Sequence, residues 1–335
     1  MTRFPLVALD PGGDGLHPAT SDPMWREAWY FEVYDPAKRL QFHAYQGVFP
    51  NAGTGDLTAA FFLEEQRVHE IMKVNFTVPA EPIEERLNFG PMKLEMIEPF
   101  ERWRIRYDAD ISADLTFEAV HAPYSWAESH LFMESSSAQE QRSQHFDQYG
   151  RYTGTVWARG KAYPVNALGF RDRMWGWGAR RHWTSYIVMW AGFSEDFVAN
   201  VSIQKFADGT QGLCGYIYKD GQRSLARHAR AELLWHPHRW RTVEKAVIQI
   251  EDRLGRTVEL TGEPLGVSDT SHRWTHRRDH MLFSLGTYRC GGAVGHGVMN
   301  WAFLTEALRP NVLAAELPDT TTVPKNIESI KRQLC

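Results

Sequence analysis

The chain has 335 residues, 43% hydrophobic and 23% charged, enough for two domains or one large β-rich domain with a sizeable core. A net charge of -4 gives it no basic field to hold nucleic acid or an anionic membrane. Three cysteines (Cys214, Cys290 and Cys335) lack the count and spacing of a disulfide framework and fit a reducing, cytoplasmic setting.

The opening "MTRFPLVALDPGGDG" has only about six apolar residues before Asp10, too short for the core of a signal peptide. No later window approaches the roughly 20 apolar residues of a membrane span. "WYFEVYDPAKRLQFHAYQGVF" predicts strand, turn, strand, with Asp35-Pro36 opening the turn. "GDLTAAFFLEEQRVHEIMK" fits a helix or strands equally. In "RWRIRYDAD", Trp103, Ile105 and Tyr107 alternate with Arg102, Arg104 and Arg106, and "DLTFEAV" alternates in the same way. Beyond the polar connection "WARGKAY", "GYIYKDGQRSLARH" carries the two-residue hairpin signal Asp220-Gly221. "KAVIQIEDRLGRTVEL" reads as two strands around Gly255, and "VPKNIESIKRQL" predicts a short C-terminal helix. The expected fold is mostly β and antiparallel, with an N-terminal unit over 1–158 and a C-terminal unit over 159–335.

Familiar catalytic patterns are absent. "HEIMK" starts like a zinc-binding helix, but Lys73 stands where the second histidine is needed. "DPGGDG" and "GGAVGHG" lack phosphate-cradling spacing, and no Gly-x-Ser-x-Gly elbow occurs. His236 and His238 in "WHPHRW" lack a third ligand, while His272, His276 and His280 lie among arginines that would repel a cation. No metal or cofactor is expected.

What remains is aromatic chemistry. Of 13 tryptophans, five (Trp157, Trp175, Trp177, Trp183, Trp190) fall within residues 157 to 190. "GFRDRMWGWGARRHW" (169–183) sets Asp172 among Arg171, Arg173, Arg180 and Arg181. "HAPYSWAESH" groups Tyr124, Trp126 and His130, "GGAVGHGVMNWA" ends in Asn300 and Trp301, and "MWREAWYFEVYD" sets Glu27 between Trp25 and Trp29. A carboxyl in an aromatic pocket has its pKa raised and can act as a proton donor, whereas an adjacent arginine fixes it as a carboxylate. Asp172 is therefore either a general acid/base or the structural partner of an arginine. Each tryptophan taken singly fits a core more readily than a cavity wall, and Tyr124 and His130 are equally at home as hydrogen-bonded strand residues.

These blocks, "EAWYFEVYDP", "ALGFRDRMWGWGARRHW" and "GGAVGHGVMNWA", occur in an order that resembles the carotenoid 1,2-hydratase (hydroxyneurosporene synthase) and AttH-like superfamily over residues 20 to 310, nearest its bacterial members. The resemblance implies two lipocalin-like (calycin-type) β-barrel or sandwich domains with a ligand cavity between or within them. It implies hydration of isoprenoid double bonds or prenylated phenolics, or cyclisation of polyenes, without a metal or redox cofactor. The family pattern has a histidine after the aspartate, where this chain has Arg173; Arg173 then holds an anionic or carbonyl-bearing substrate, or the donor is Asp172 alone, Tyr124 or His130.

The expected activity is a lyase, hydratase or dehydratase, on a bulky apolar terpenoid, steroid or aromatic substrate. Asp172 would serve as general acid/base, and Tyr124 and His130 would position water or the hydroxyl. Trp126, Trp175, Trp183 and Trp301 would wall the cavity, with Glu27, Arg173 and Asn300 as further substrate contacts. An isomerase or cyclase and a non-catalytic carrier of apolar ligands are the rivals, and a homodimer is compatible with the chain.

Overall fold

The computed structural model describes residues 9, 12–23, 25–78, 88–129, 144–177, 183–207, 209–271, 280–304 and 308–316. The expected C-terminal helix, His130, Arg180, Arg181, His272 and His276 lie outside them. Among the described residues nearly all regular structure is β, in two antiparallel sheets. No helix among them is long and apolar enough to cross a membrane.

The first sheet contains β1 (Trp25–Asp35), β2 (Leu40–Phe49), β3 (Thr54–Leu63), β4 (Gln66–Thr77), β5 (Asn88–Phe89), β6 (Met92–Glu98), β7 (Arg102–Asp108), β8 (Ser112–Ala119), β9 (Tyr124–Ser125), β10 (Gln144–Ala158) and β11 (Lys161–Trp177). Its order is β4-β3-β2-β1-β11-β10-β8-β7-β6-β5, with β9 beside β10, and it curls into a half-barrel. The second sheet contains β12 (Trp183–Ser194), β13 (Phe197–Phe206), β14 (Gln211–Lys219), β15 (Gln222–Trp235), β16 (Val243–Asp252), β17 (Thr257–Asp269), β18 (His280–Cys290), β19 (Ala293–Phe303) and β20 (Val312–Glu316). Pairing of β14 with β15 closes β12 to β19 into an eight-stranded barrel. The lipocalin-like expectation for the fold holds. β11 follows residue 158 in sequence yet lies between β1 and β10, so the chain passes from one sheet to the other between Trp177 and Trp183.

Several turns follow their local chemistry. Asp220 and Gly221 both take positive φ (53° and 75°), which joins β14 to β15 with the twist a tight hairpin needs. The ambiguous 55–73 stretch forms the hairpin β3–β4, so the "HEIMK" run lies on a strand.

Burial shows where the two bodies meet. β7 and β8 alternate buried with exposed or half-buried residues, as strands with one wet face do. All of β1, and β2 except its last residue, are buried, because each has the half-barrel core on one face and the second barrel on the other. One core lies inside the half-barrel (Trp29, Phe31, Trp103, Phe117), another inside the barrel (Ile187, Val201, Ile248, Trp301). A third fills the space between them with Tyr30, Tyr124, Tyr149, Phe170, Trp183, Trp190 and Phe283.

Candidate functional site

The arginine-rich stretch separates by strand parity. On β11, Arg171, Arg173 and Trp175 point into the half-barrel, while Phe170, Asp172 and Met174 point toward the second barrel. Arg171 is fully buried and donates to both oxygens of Asp14 (2.7 and 2.9 Å) and to Gln148, with its guanidinium over Trp103, Phe117 and Phe146. Arg173 forms a short ion pair with Glu27, stacks 4.1 Å from the Trp29 ring centroid and donates to the carbonyl of Gly15. Burial by itself would push the Glu27 carboxyl up, but Arg173 and His17 together outweigh it and hold it below its ordinary range. Trp175 stacks on His17 at 4.5 Å. Glu27, Arg173 and Trp175 thus form one group in the end of the half-barrel, and Arg173 faces away from Asp172. The ion-pair alternative between these two neighbours is excluded by their parity.

Asp172 stands instead in a polar row that crosses the outer face of the same sheet. Register pairs Tyr45 with Tyr30, Tyr30 with Asp172, Asp172 with Asp147, and Asp147 with Tyr124, across β2, β1, β11, β10 and β9. Neighbouring strands lie about 4.8 Å apart, so these side chains are contiguous. His145, one row along on β10, brings Nε2 within 3.2 Å of Asp147 Oδ1 and 3.7 Å of Asp172 Oδ2. Its ring is stacked on Trp126 at 3.9 Å and 9°. Asp147 is fully buried and accepts from Trp126 Nε1 (2.8 Å) and from Asn200 Nδ2 (3.2 Å) of the second barrel. The side chains of His145 and Asp172 keep 13% and 20% exposure, so the row is wet at this point only. Donor atoms of His145, Asp147 and Asp172 lie within 4.8 Å of one another, so that among the described residues this trio has the spacing to hold a divalent ion.

Tyr124 is locked in the interface: its hydroxyl shares a short hydrogen bond with Ser129 and accepts from Gly215 N at 2.7 Å. Burial raises its pKa well above the ordinary phenol value. Toward β1 the row continues into Tyr30, whose hydroxyl shares a short hydrogen bond with Glu32 and is reached by the Asn300 side chain. Asn300 also accepts from Ser284 N at 3.0 Å. Trp183 lies in the core between the sheets, packed edge-on against Tyr186 at 4.8 Å. Trp301 lies in the barrel's own core and donates to the Arg241 carbonyl.

Of the residues singled out from sequence, Asp172, Tyr124, Trp126, Trp183 and Asn300 therefore share the interface between the two bodies. Glu27, Arg173 and Trp175 share the half-barrel end, and Trp301 stands apart. The sequence reading passed over His145, Asp147, Tyr30 and Glu32. Their signals were the His-x-Asp spacing that opens β10 and the parity of β1, which sends Glu27 and Glu32 to opposite faces. His236 Nδ1 accepts from the backbone of His238 and Arg239, so it caps a turn. A groove of about 380 Å³ beside it, lined by Glu244, Lys245 and Glu263 among others, is charged and contains none of the site residues.

A family model described as a domain of unknown function (DUF7064) matches residues 10–305. No curated protein matches the chain by sequence. Among solved structures, an AttH-like protein of Nitrosomonas europaea is similar at TM-score 0.65 and 15% identity, covering 90% of this chain and 99% of that one. Kievitone hydratase from Nectria haematococca is similar at TM-score 0.57 and 9% identity, covering 88% and 95%. CghA with Sch210972 is similar at TM-score 0.57 and 11% identity, covering 85% and 89%. At these identities the likeness is one of fold. It agrees with the two lipocalin-like β domains that the AttH-like resemblance implies, while the resemblance to that superfamily and to carotenoid hydratases rests on the sequence blocks alone.

Proposed function

For a chain that belongs to the DUF7064 family and carries this interface, we propose a lyase reaction: water is added to a carbon–carbon double bond, or a hydroxyl is lost as water, on a bulky apolar terpenoid, steroid or aromatic substrate. The observation that carries this reading is the trio His145, Asp147 and Asp172 in a surround of aromatic side chains, an acid/base set in apolar surroundings. The likeness to kievitone hydratase supports it.

Asp172 and His145 form the acid/base pair in this reading. Asp147, held by Trp126 and Asn200, fixes the orientation of the imidazole. His145 supplies the group that the family motif places directly after the aspartate, from the neighbouring strand rather than from position 173. Trp126 stacks on it and offers an electron-rich face to a developing carbocation. Tyr124 is a structural anchor between the two bodies, and no metal or redox cofactor takes part. The likeness to CghA, crystallised with Sch210972, supports a second reading, an isomerase or cyclase in which Asp172 only accepts a hydrogen bond.

Wild-type protein incubated in ¹⁸O-water with 2-prenylphenol and with linalool tests the choice. Label entering product, or unlabelled substrate acquiring label, is the result expected of a lyase. Binding of a probe, followed by quenching of tryptophan fluorescence, with no label exchange would favour the cyclase or a carrier.

A further inference from the structure

We propose that His145, Asp147 and Asp172 form a zinc site, and that a bound Zn²⁺ ion switches the lyase reaction off rather than driving it. The site follows from the geometry of the trio alone, whereas the switching rests on the lyase reading above.

Asp147 points to an ion. Its side chain is fully buried, and Oδ2 is already held by Trp126 Nε1 at 2.8 Å and Asn200 Nδ2 at 3.2 Å. The other oxygen, Oδ1, lies 3.2 Å from His145 Nε2. These two atoms are not aligned for a hydrogen bond with each other, and neither makes one elsewhere. A buried carboxylate oxygen without a donor is costly, and an ion that takes both lone pairs removes the cost. Trp126 keeps the imidazole in place, with its ring 3.9 Å away and within 9° of parallel. Asp172 Oδ2 stands 3.7 Å from the same nitrogen, and all three donor atoms lie within 4.8 Å of one another. Ligands at about 2.0–2.2 Å from a tetrahedral zinc are about 3.3–3.6 Å apart, a spacing that the 3.2 and 3.7 Å distances bracket.

The donor set selects the ion. One imidazole with two carboxylates suits zinc, whereas magnesium and calcium ask for oxygen donors throughout. The side chains of His145 and Asp172 keep 13% and 20% exposure, which gives the ion a way in and leaves its fourth position to water. Trp126 and Asn200 orient Asp147 as the hydrogen bonds behind a metal ligand do. Asn200 comes from the barrel, so docking of the two bodies completes the site.

A bound ion takes the lone pair of His145 Nε2 and an oxygen of Asp172, the atoms that give and receive protons in the lyase reading. It also sets a dication where a carbocation would develop, and repulsion between like charges at that range raises the barrier. The ion-free form is therefore the active one.

The test titrates full-length protein, stripped with EDTA and then freed of it, with ZnCl₂ in a calorimeter. One ion per chain with a Kd of about 1 µM or below is expected, and no saturable binding below about 1 mM would overturn the site. His145→Gln and Asp172→Asn, both at the wet rim, are expected to weaken binding at least ~10²-fold and ~10-fold, since even changes behind a ligand cost about 10–100-fold. His236→Ala, in the turn after β15, is expected to bind as the wild type does. Wild-type affinity in both rim variants, or loss of binding in His236→Ala, would overturn the site. With whichever probe the wild type labels in ¹⁸O-water, turnover is expected to fall at least ~10²-fold as the site fills and to return with EDTA. Turnover unchanged or raised with the site filled would overturn the switching, and the metal-free acid/base pair with it, while the zinc site stands.

Discussion

Glu32 is a buried carboxyl whose proton is linked to folding. Its folded-state pKa is raised above the ordinary 4.5. At pH below about 4.5 both folded and unfolded chains hold the proton, and the group adds no penalty. As pH rises toward the folded value, the unfolded chain releases its proton and the folded one does not, so folding is progressively disfavoured. Glu32→Gln is thus expected to raise Tm more at pH 8 than at pH 4.5, measured by thermal melts across that range. A change in Tm independent of pH would contradict the upward shift of the Glu32 carboxyl. Glu27 and Arg173 behave in the opposite sense, because each needs the other charged. Arg173→Met leaves Glu27 with only His17 and the Trp25 N–H as partners in the half-barrel end and is expected to cost about 3–5 kcal/mol in urea unfolding. The double variant Glu27→Gln/Arg173→Met should recover most of that loss. For the trio, dialysis against EDTA is expected not to lower turnover; a loss restored by a divalent ion would make His145, Asp147 and Asp172 ligands of a catalytic ion rather than a proton-transfer set.

At the scale of the strand, close approach of β1 and β11 sets the site. A Cβ on Gly169 would fall 2.3 Å from the Glu32 carbonyl oxygen and 3.0 Å from the Tyr152 ring, so the two strands must part to admit it. Gly169→Ala is expected to destabilise the protein by about 1–3 kcal/mol and to depress turnover, because Asp172 rides on β11. Gly291→Ala, in the β18–β19 turn at φ 56° with nothing within 4 Å, should cost about 1 kcal/mol and leave turnover intact. Unfolding curves and turnover of the two variants give the comparison. The same scale shows what a single sequence discloses. Hairpins with Asp-Gly or Gly turns, β14–β15 and β16–β17, were legible because a positive φ demands those residues. The β3–β4 turn was not, since Glu64 and Glu65 adopt positive φ (53° and 59°) without such a signature. Asp172 was legible as a carboxylate among aromatics, and alternation along β11 already separates it from Arg173. His145 and Asp147 were hidden, because their place beside Asp172 depends on the β10–β11 register, which local sequence does not reveal.

For the whole molecule, the site is a product of two bodies docking. Half-barrel side chains carry the ionisable groups, and the barrel completes them: Asn200 bonds Asp147, Asn300 reaches Tyr30, and Gly215 N bonds Tyr124. Gln41 clasps the backbone of Gly266 through both its amide atoms, at 3.1 and 3.0 Å. Aromatic packing between the bodies makes the surroundings apolar, which is what strengthens acid/base chemistry there. The most direct measurement is turnover of Asp172→Asn in ¹⁸O-water, with the same probes and with binding followed by tryptophan quenching. The account predicts retained binding and label exchange slowed at least ~10²-fold; exchange at the wild-type rate would contradict it.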